Sequence, residues 1–451
     1  MVCENPFGKQ FDPLELPEHT EVVTMREHAA LPDPQAAVKD ALLHPTAGPS
    51  LGEIAVRKKR AKPDATAVIV VSDNTRPVPY KGPGNILVPL LETLREAGFA
   101  FEDMTLLIAT GMHHGMDEEE QRAMLDAYVF NHGIRIVNHD AKDSSALTDL
   151  GTTSRGSRIL IDSRYVQGDL KIVTGLIESH FMAGASGGRK AICPGLIGEE
   201  STFVFHGPAL MADRRSTNLV LDGNPVHEES LAFARAAGID FLLNVTLNRR
   251  FEITGVFAGD FEKAHEAGVA FIRQEVAVPA CASDIVITHG GYVGLNHYQC
   301  GKCAVAGLGI LKPGGYMIIL ADIRDKKGPV GSLNYKTCLS LLTTVGVENY
   351  LKMICSPDWT FIPDQWQVQQ WGKLFERTAP DHLIFYAPRL DTGDFEGLPG
   401  HVLPKELGYA AALREALSYI CERESRSLDA MRISYIADGP YAVPFDKEEK
   451  E

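Results

Sequence analysis

Short runs of apolar residues alternate along the chain with segments in which apolar side chains recur every three or four positions. A short apolar run predicts a buried β-strand, and the wider spacing predicts a helix with one apolar face. Leu87, Leu90, Leu91 and Leu94 have the helical spacing, and Gly98 is suited to ending that helix. The predicted strands are residues 67–71, 105–108, 170–173, 285–288, 316–320, 382–386 and 433–436.

This alternation predicts an α/β protein with largely parallel sheets. The chain has 451 residues, which is too long for one small core and favours two domains. We place an N-terminal α/β domain at residues 1–278 and a C-terminal α/β domain at 279–437, because a helical stretch ends and a new strand begins near Val278. The tail, 438–451, is expected to return toward the first domain. An active-site cleft is expected between the two domains.

Composition and charge exclude several classes of protein. Hydrophobic residues make up 45% of the chain and charged residues 23%, as in ordinary globular proteins. The formal net charge of −15 argues against nucleic acid or an anionic membrane as the main partner. The N-terminal residues do not have the pattern of a secretory signal, and eight cysteines are too sparse for a disulfide scaffold. We therefore expect a cytoplasmic protein.

Chemically reactive side chains follow the first three predicted strands. Asp73, Thr75 and Arg76 follow the first, His113 follows the second and His180 follows the third. Ligands of parallel sheets bind at the carboxyl ends of strands, so these segments are expected to converge. Asp73 suits a ribose or ring amide and Arg76 a carboxylate, although a helix-capping aspartate followed by a surface arginine is the alternative. His113 suits acid–base chemistry, with a structural histidine as the alternative.

The stretch HFMAGASGGRK places His180 ten residues before Lys190, across a loop of small residues. A lysine beside glycines can carry a covalent cofactor, although a helix-capping turn with a surface lysine is the alternative. His206 follows sixteen residues later as a possible metal ligand.

The loop from Gly184 to Lys190, which contains Ser186, Gly187 and Gly188, resembles a phosphate cradle. The loop is not a Walker A motif, because Arg189 precedes the lysine and Ala191 follows it.

The C-terminal half carries a CxxC pair, Cys300 and Cys303, which alone is a weak signal for metal binding or redox chemistry. We interpret it as the start of a helix in which Gln299 and Lys302 matter more. Trp366 either forms an aromatic wall beside a substrate or packs at the start of a helix.

Together these segments resemble the nickel-dependent lactate racemase family of 2-hydroxy acid racemases and epimerases, over nearly the whole chain. The matching segments are SDNTRP at 72–77, ATGMH at 109–113, HFMAGASGGRKAICPG at 180–195, His206, YQCGK at 298–302 and DQW at 364–366.

The resemblance implies a nickel-pincer nucleotide, a pyridinium-3-thioamide-5-thiocarboxylic acid mononucleotide that carries nickel. By position, Lys190 is its covalent tether and His206 its nickel ligand. Asp73, Thr75 and the Ser186–Gly188 loop are its expected contacts, and the cofactor-biosynthesis enzymes are expected partners.

The implied reaction inverts the C2 centre of a 2-hydroxy acid by reversible hydride transfer, with His113 and His180 as the two catalytic bases. The side chains expected to bind the substrate are those of Arg76, Tyr298, Gln299, Lys302 and Trp366.

Two departures from the family bear on the substrate. His114 stands where an arginine is common, and Gln367 stands where lactate-specific relatives tend to have an apolar side chain. We therefore expect an acid larger or more polar than lactate, such as malate or a sugar acid.

Three other classes of protein remain as alternatives. A nicotinamide-dependent 2-hydroxy acid dehydrogenase lacks support, because no strong GxGxxG fingerprint is present. The others are a non-catalytic, two-domain carboxylate-binding protein and a redox or zinc protein that uses Cys300 and Cys303.

Overall fold

The computed structural model describes residues 1–291, 293–395 and 397–448. The chain divides into two compact units, and neither is a continuous stretch of sequence. The N-terminal unit comprises Glu27–His206 and Arg215–Gln274. The C-terminal unit comprises Met1–Arg26, Gly207–Arg214 and the chain from Glu275 onward. Among the described residues, no helix is long and apolar enough to span a membrane.

The N-terminal unit is built on one large sheet. Within the described residues its strands, in spatial order, are Ile253–Gly259, Phe241–Leu247, Leu170–Leu176, Ala67–Ser72, Met104–Ala109 and Arg135–Asn138. All neighbours are parallel except the first pair, which is antiparallel. The central strands are buried along nearly their whole length, as expected when helices cover both faces of a parallel sheet.

Several helices in this unit begin at side chains that cap their first turn. Ser50 and Glu53 form a reciprocal capping box at one helix, and Asp117 and Glu120 form another. The helices are Pro34–Leu43, Leu51–Ala61, Leu87–Glu96, Glu118–Met124, Ala127–Asn131, Ser163–Gln167, Glu199–Phe205, Pro225–Ala237 and Phe261–Val276, the last of which ends just beyond the unit boundary.

The C-terminal unit contains a second sheet in which all neighbouring strands are parallel. In the part of the chain that is described, its spatial order is His401–Val402, Leu383–Tyr386, Leu311–Leu320, Ser283–His289, Ile433–Ile436 and Glu21–Val23. Its helices are Pro208–Ala212, His297–Gly307, Leu333–Val345, Val347–Ile354, Gln365–Arg377 and Tyr409–Glu424.

The expected fold class, α/β with largely parallel sheets, is confirmed, and each predicted strand overlaps an observed one. The units differ from the predicted 1–278 and 279–437. The N-terminal strand Glu21–Val23 pairs with Ile433–Ile436, so residues 1–26 group with the C-terminal unit. In the tail, Val443–Asp446 pairs with Ala277–Ala280 inside that same unit. Backbone pairing between distant segments causes both differences, and local periodicity does not report it.

Candidate active site

Asp73, His113 and His180 follow three neighbouring strands of the N-terminal sheet, at their carboxyl ends. The backbone amide of Gly111 donates a hydrogen bond to the carbonyl of Gly195, 3.0 Å away. This bond ties the loop that carries His113 to the segment that follows Lys190. The convergence expected from the sequence is therefore present on this sheet.

Asp73 and His113 form a hydrogen-bonded pair. The Nδ1 atom of His113 lies 2.6 Å from one Asp73 carboxylate oxygen, and the Thr75 hydroxyl donates to the other at 2.5 Å. Burial raises the pKa of Asp73, but hydrogen bonds from His113 and Thr75 outweigh burial and lower it overall. An ionised carboxylate accepts a hydrogen bond from Nδ1–H, which leaves Nε2 of the half-exposed imidazole as the acceptor. This orientation is the one that a catalytic base requires, so the predicted role of His113 stays a prediction that the geometry allows.

The alternative that Asp73 caps a helix is wrong, because residues 74–76 form a turn. Both oxygens of its carboxylate are engaged by Thr75 and His113, so contact of Asp73 and Thr75 with a cofactor stays a prediction. The guanidinium of Arg76 donates to the Thr75 carbonyl, 3.2 Å away. The His114 side chain is 77% exposed, with Nε2 3.4 Å from Glu120.

We expect Asp73→Asn to lower kcat about 10²-fold or more, because an amide no longer selects the imidazole tautomer with a free Nε2. The lowered pKa means that the charged carboxylate stabilises the fold above its ordinary pKa of 3.8. That stabilisation is lost as pH falls through the lowered pKa. The difference in unfolding free energy between wild type and variant should therefore vanish in acid, as thermal denaturation at several pH values would show.

Asp40 and His44 provide a matched control, because they form an exposed pair of the same chemistry, 2.9 Å apart, in the same unit. Asp40→Asn should leave kcat unchanged. An unchanged kcat in Asp73→Asn would contradict the assigned role.

His180 and Lys190 contact each other directly. The Nζ atom of Lys190 lies 3.3 Å from Nε2 of His180. The Nδ1 atom of His180 accepts from the backbone amides of Met182 and Ala183, at 3.3 and 3.2 Å, so the proton of the neutral ring resides on Nε2. The Lys190 amine therefore lies at hydrogen-bond distance from the side of the ring that faces away from these two amides.

Arg189 and Lys190 are consecutive, yet they face different surroundings. Arg189 is 1% exposed and donates to the Ala183 carbonyl at 2.5 Å, and burial lowers its pKa to about 9. Lys190 is half-buried, with Nζ 5.8 Å from the ring centre of Phe205. The alternative of a surface lysine on a capping turn is therefore wrong, because Lys190 contacts side chains that carry chemistry.

The glycines of the loop make room for neighbouring protein side chains. Gly187 and Gly188 have φ values of 72° and 56°. A Cβ atom on Gly187 would lie 2.7 Å from Oδ1 of Asn244, and one on Gly188 would lie 2.7 Å from the ring of His265. The Ser186 hydroxyl donates to the carbonyl of Leu176, 2.7 Å away, at the end of the strand Leu170–Leu176. Contact of these three residues with a cofactor stays a prediction.

Sequence reasoning missed Asn244, whose side chain accepts a hydrogen bond of 2.8 Å from the amide of Gly188 and so fixes the loop. Asn244 is fully buried in the strand Phe241–Leu247. Its one sequence signal is a polar residue in the middle of an otherwise apolar run. A buried amide in such a position needs hydrogen-bond partners, and here the partner is the loop that carries Lys190.

His206 follows the helix Glu199–Phe205, and its ring lies 4.7 Å from that of Phe205. Burial is the larger of two causes that lower the pKa of His206 to about 3, and the nearby Lys190 is the second. The imidazole is therefore neutral at physiological pH, which is the form that binds metals.

In the described ranges, no group of three or more His, Cys, Asp or Glu side chains is arranged to hold a metal ion. The Lys190 amine and the nearby neutral imidazole of His206 are groups that fit a nickel-pincer nucleotide, which would bring its own sulfur and carbon donors.

The C-terminal unit brings Tyr298 and Trp366 together. Tyr298, Gln299 and Lys302 lie in the first two turns of the helix His297–Gly307. The indole nitrogen of Trp366 donates to the Tyr298 hydroxyl at 3.0 Å. The side-chain oxygen of Gln299 is buried and accepts no hydrogen bond within the described residues. These groups supply donors and acceptors of the kind that bind a hydroxy acid.

Gln367 joins two helices of this unit. It is 1% exposed, and its amide donates to the Tyr298 carbonyl at 2.6 Å. A Cβ atom on Gly301 would lie 2.9 Å from the same amide nitrogen. Because Gln367 is engaged in this contact, its polarity does not report directly on the substrate.

Cys300 and Cys303 are fully buried free thiols in the helix His297–Gly307. A hydrogen bond with Cys303, together with burial, raises the pKa of Cys300 well above its ordinary value. The Cys303 thiol donates to the His289 carbonyl at 3.3 Å. A thiol whose pKa is raised is a weak metal ligand and a weak nucleophile, so Cys300 gives a zinc or redox role no support.

Sequence comparison identifies relatives of this chain among known proteins. Residues 7–218 match the family model for the lactate racemase N-terminal domain. The lactate racemase of Thermoanaerobacterium thermosaccharolyticum is 31% identical over 423 residues, covering 92% of this chain and 94% of that protein. The lactate racemase of Lactiplantibacillus plantarum is 31% identical over 410 residues, covering 90% of this chain and 89% of that protein.

Comparison with solved structures also identifies a lactate racemase as a relative. The lactate racemase apoprotein from Thermoanaerobacterium thermosaccharolyticum superposes with a TM-score of 0.83 at 27% identity, covering 98% of this chain and 100% of that one. A Thermotoga maritima protein solved by structural genomics has a TM-score of 0.60 at 17% identity, covering 89% and 99% of the two chains, and shows the fold alone.

The fold and these relatives define an isomerase, and more narrowly a racemase. The chain belongs to the nickel-dependent lactate racemase family. The resemblance read from the sequence motifs is thereby confirmed.

Proposed function

We propose that the protein is a 2-hydroxy acid racemase or epimerase that inverts C2 by reversible hydride transfer, with two histidines as bases. One observation carries the proposal. The Lys190 amine lies 3.3 Å from Nε2 of His180 and close to the neutral imidazole of His206. In the same unit, Asp73 orients His113 at the carboxyl end of the same sheet.

Lys190 would hold the nickel-pincer nucleotide covalently, and His206 would ligate its nickel. Asp73, Thr75 and the Ser186–Gly188 loop are proposed to contact the remainder of the cofactor. When bound, the cofactor's pyridinium ring supplies a reversible hydride acceptor for the substrate's α-carbon. This chemistry removes the need for an α-carbanion, which the adjacent carboxylate disfavours.

The two histidines divide the proton transfers between the antipodes. His113 would take the hydroxyl proton of one antipode and His180 that of the other, and each would return a proton to the ketone in the reverse direction. Arg76, Gln299 and Lys302 would hold the carboxylate as charge-assisted donors or hydrogen-bond partners. Tyr298 and Trp366 would shape the pocket.

The proposed substrate is larger or more polar than lactate, such as malate or a sugar acid. Support comes from two basic side chains, Arg76 and His114, each of which follows one member of the Asp73–His113 pair within three residues in the sequence. A single carboxylate needs only one bidentate donor. A second polar group on the substrate would bind to the second of these two basic side chains.

The test uses protein produced together with the cofactor-biosynthesis enzymes. Single antipodes of lactate, malate and a sugar acid, each deuterated at C2, are incubated with it and separated by chiral chromatography. We expect the opposite configuration with deuterium retained, a small pool of 2-keto acid, and the fastest turnover with the larger acids. Deuterium lost to solvent with no keto acid would overturn hydride transfer. Fastest turnover with lactate would overturn the substrate assignment.

A further inference from the structure

His139 is the first residue after the strand Arg135–Asn138, and its side chain is fully buried. The Nδ1 atom of its ring lies 3.0 Å from a carboxylate oxygen of Asp162. The Nε2 atom lies 3.0 Å from the backbone carbonyl oxygen of Ile197. Both ring nitrogens of this histidine therefore face oxygen atoms.

Neither of these oxygen atoms can donate a hydrogen bond to the ring. A carbonyl oxygen is an acceptor only. Burial raises the pKa of Asp162, but hydrogen bonds from Arg164 and His139 outweigh burial and lower it to about 2, so the carboxylate is ionised. The Arg164 guanidinium donates to both carboxylate oxygens, at 2.8 and 2.5 Å. Both nitrogens of His139 are therefore donors, and the ring is the charged imidazolium.

Ile197 is the last of three consecutive residues whose backbone carbonyls accept hydrogen bonds from other parts of the same unit. The Leu196 carbonyl accepts from the amide of Asp162 at 3.0 Å. The Gly195 carbonyl accepts from the amide of Gly111, also at 3.0 Å. The position of residues 195–197 is thus set by these two backbone hydrogen bonds and by the buried imidazolium.

The same residues are connected to the reactive side chains of the candidate site. The amide of Gly195 donates to the Lys190 carbonyl, 3.2 Å away. The amide of His113 donates to the Thr110 carbonyl at 3.0 Å, and the Thr110 hydroxyl donates to the backbone carbonyl of His139 at 2.7 Å. His139 therefore contacts the segment after Lys190 through its ring and the loop of His113 through its backbone.

We propose that His139, as a buried imidazolium, is a positioning residue that fixes the loop carrying His113 relative to the segment that follows Lys190. A charged donor suits this role, because its hydrogen bonds to carbonyl and carboxylate oxygens are stronger than those of a neutral ring. The proposal rests on the proposed function in one respect, which is that His113 and Lys190 take part in the reaction. All of these contacts lie within the N-terminal unit.

Two substitutions separate the two hydrogen bonds of the ring. The side-chain nitrogen of asparagine lies near the position of Nδ1, so His139→Asn keeps a donor to Asp162 and loses the donor to Ile197. The side-chain nitrogen of glutamine reaches as far as Nε2, so His139→Gln keeps the donor to Ile197 and loses the donor to Asp162. Both variants replace a buried charge with a neutral amide, so their melting temperatures should fall by similar amounts.

The first measurements use full-length protein without cofactor or substrate. Hydrogen–deuterium exchange at the amide of Gly111 should be about 10-fold or more faster in His139→Asn than in wild type, because its acceptor is released. In His139→Gln the rate should change less than about threefold. Nuclear magnetic resonance of protein with ¹⁵N-labelled histidine should show two ring N–H protons for His139 at neutral pH, identified by their absence in the variants.

The second measurement is turnover of the 2-hydroxy acid by holoenzyme. We expect kcat to fall about 10-fold or more in His139→Asn and less than about threefold in His139→Gln, because displaced reactive groups lose their alignment. His132→Asn is the matched control. His132 is an exposed histidine of the same unit, with Nδ1 2.9 Å from the Tyr128 carbonyl, and its replacement should change none of these measurements.

A single ring N–H proton on His139, or unchanged exchange at Gly111 in His139→Asn, would overturn the proposal whatever the activity. Equal losses of kcat in the two variants would also overturn it, because the role would then be only structural. If wild-type holoenzyme racemises no hydroxy acid, the proposed function fails, and the exchange and ring-proton measurements still decide whether His139 holds the two segments together.

Discussion

Replacing Lys190 with alanine should eliminate racemase activity, a loss of about 10⁴-fold or more, because the cofactor that supplies the hydride acceptor loses its covalent attachment. The physical basis is the position of the Lys190 amine, 3.3 Å from His180 and close to His206. Intact-mass measurement of protein produced with the cofactor-biosynthesis enzymes should show the adduct on wild type and none on the variant. Nickel content should fall in parallel.

Lys190→Arg sharpens this test, because arginine keeps a long basic side chain but cannot form the thioamide. We expect it to be as inactive as alanine. Lys142→Ala, at an exposed lysine of the same unit, should retain the adduct, the nickel and full activity. An active Lys190→Ala protein that still carries adduct and nickel would remove Lys190 from the mechanism.

Single substitutions of the two bases should separate the half-reactions. We expect His113→Ala and His180→Ala each to lower racemisation about 10²- to 10⁴-fold, the contribution of one general base. Each variant should still oxidise the antipode served by the remaining histidine. Single-turnover formation of 2-keto acid from each pure antipode is the measurement, and the two variants should fail with opposite antipodes.

His44→Ala is the control for this pair, because the His44 side chain is exposed and pairs with Asp40. It should leave both half-reactions unchanged. Loss of the same antipode in His113→Ala and His180→Ala would show that the two histidines do not serve opposite faces.

The sequence predicted the central strands of both sheets well, because they are buried on both faces and are therefore continuously apolar. It missed Phe241–Leu247, where Asn244 and Thr246 interrupt the apolar run. It also missed Glu21–Val23, because three residues are too few to show a period. Its pairing with Ile433–Ile436 is a contact across most of the chain length, and no local pattern encodes it.

The sequence likewise predicted some features of the candidate site and not others. Motifs and spacing indicated His113, His180, Lys190 and His206 as reactive residues. They did not indicate that Asp73 orients His113, because that depends on a turn conformation and a 2.6 Å side-chain contact.

The sequence also could not predict that the Ser186 hydroxyl donates to the Leu176 carbonyl. That contact depends on the conformation of the glycine loop, which is held by the hydrogen bond from Gly188 to Asn244. Residue type suggests which chemistry is available at each position. The loop conformation then decides which partner each side chain meets.

The chain passes from one unit to the other after Arg26, after His206, after Arg214 and after Gln274. Neither unit therefore corresponds to an uninterrupted stretch of the gene. A chimera made with a relative by a single crossover near residue 274 would pair the strand Glu21–Val23 and the helix Pro208–Ala212 of one parent with the remaining C-terminal unit of the other. Recombination between distant relatives is thus penalised at the level of folding, and we expect the two units to have been inherited together.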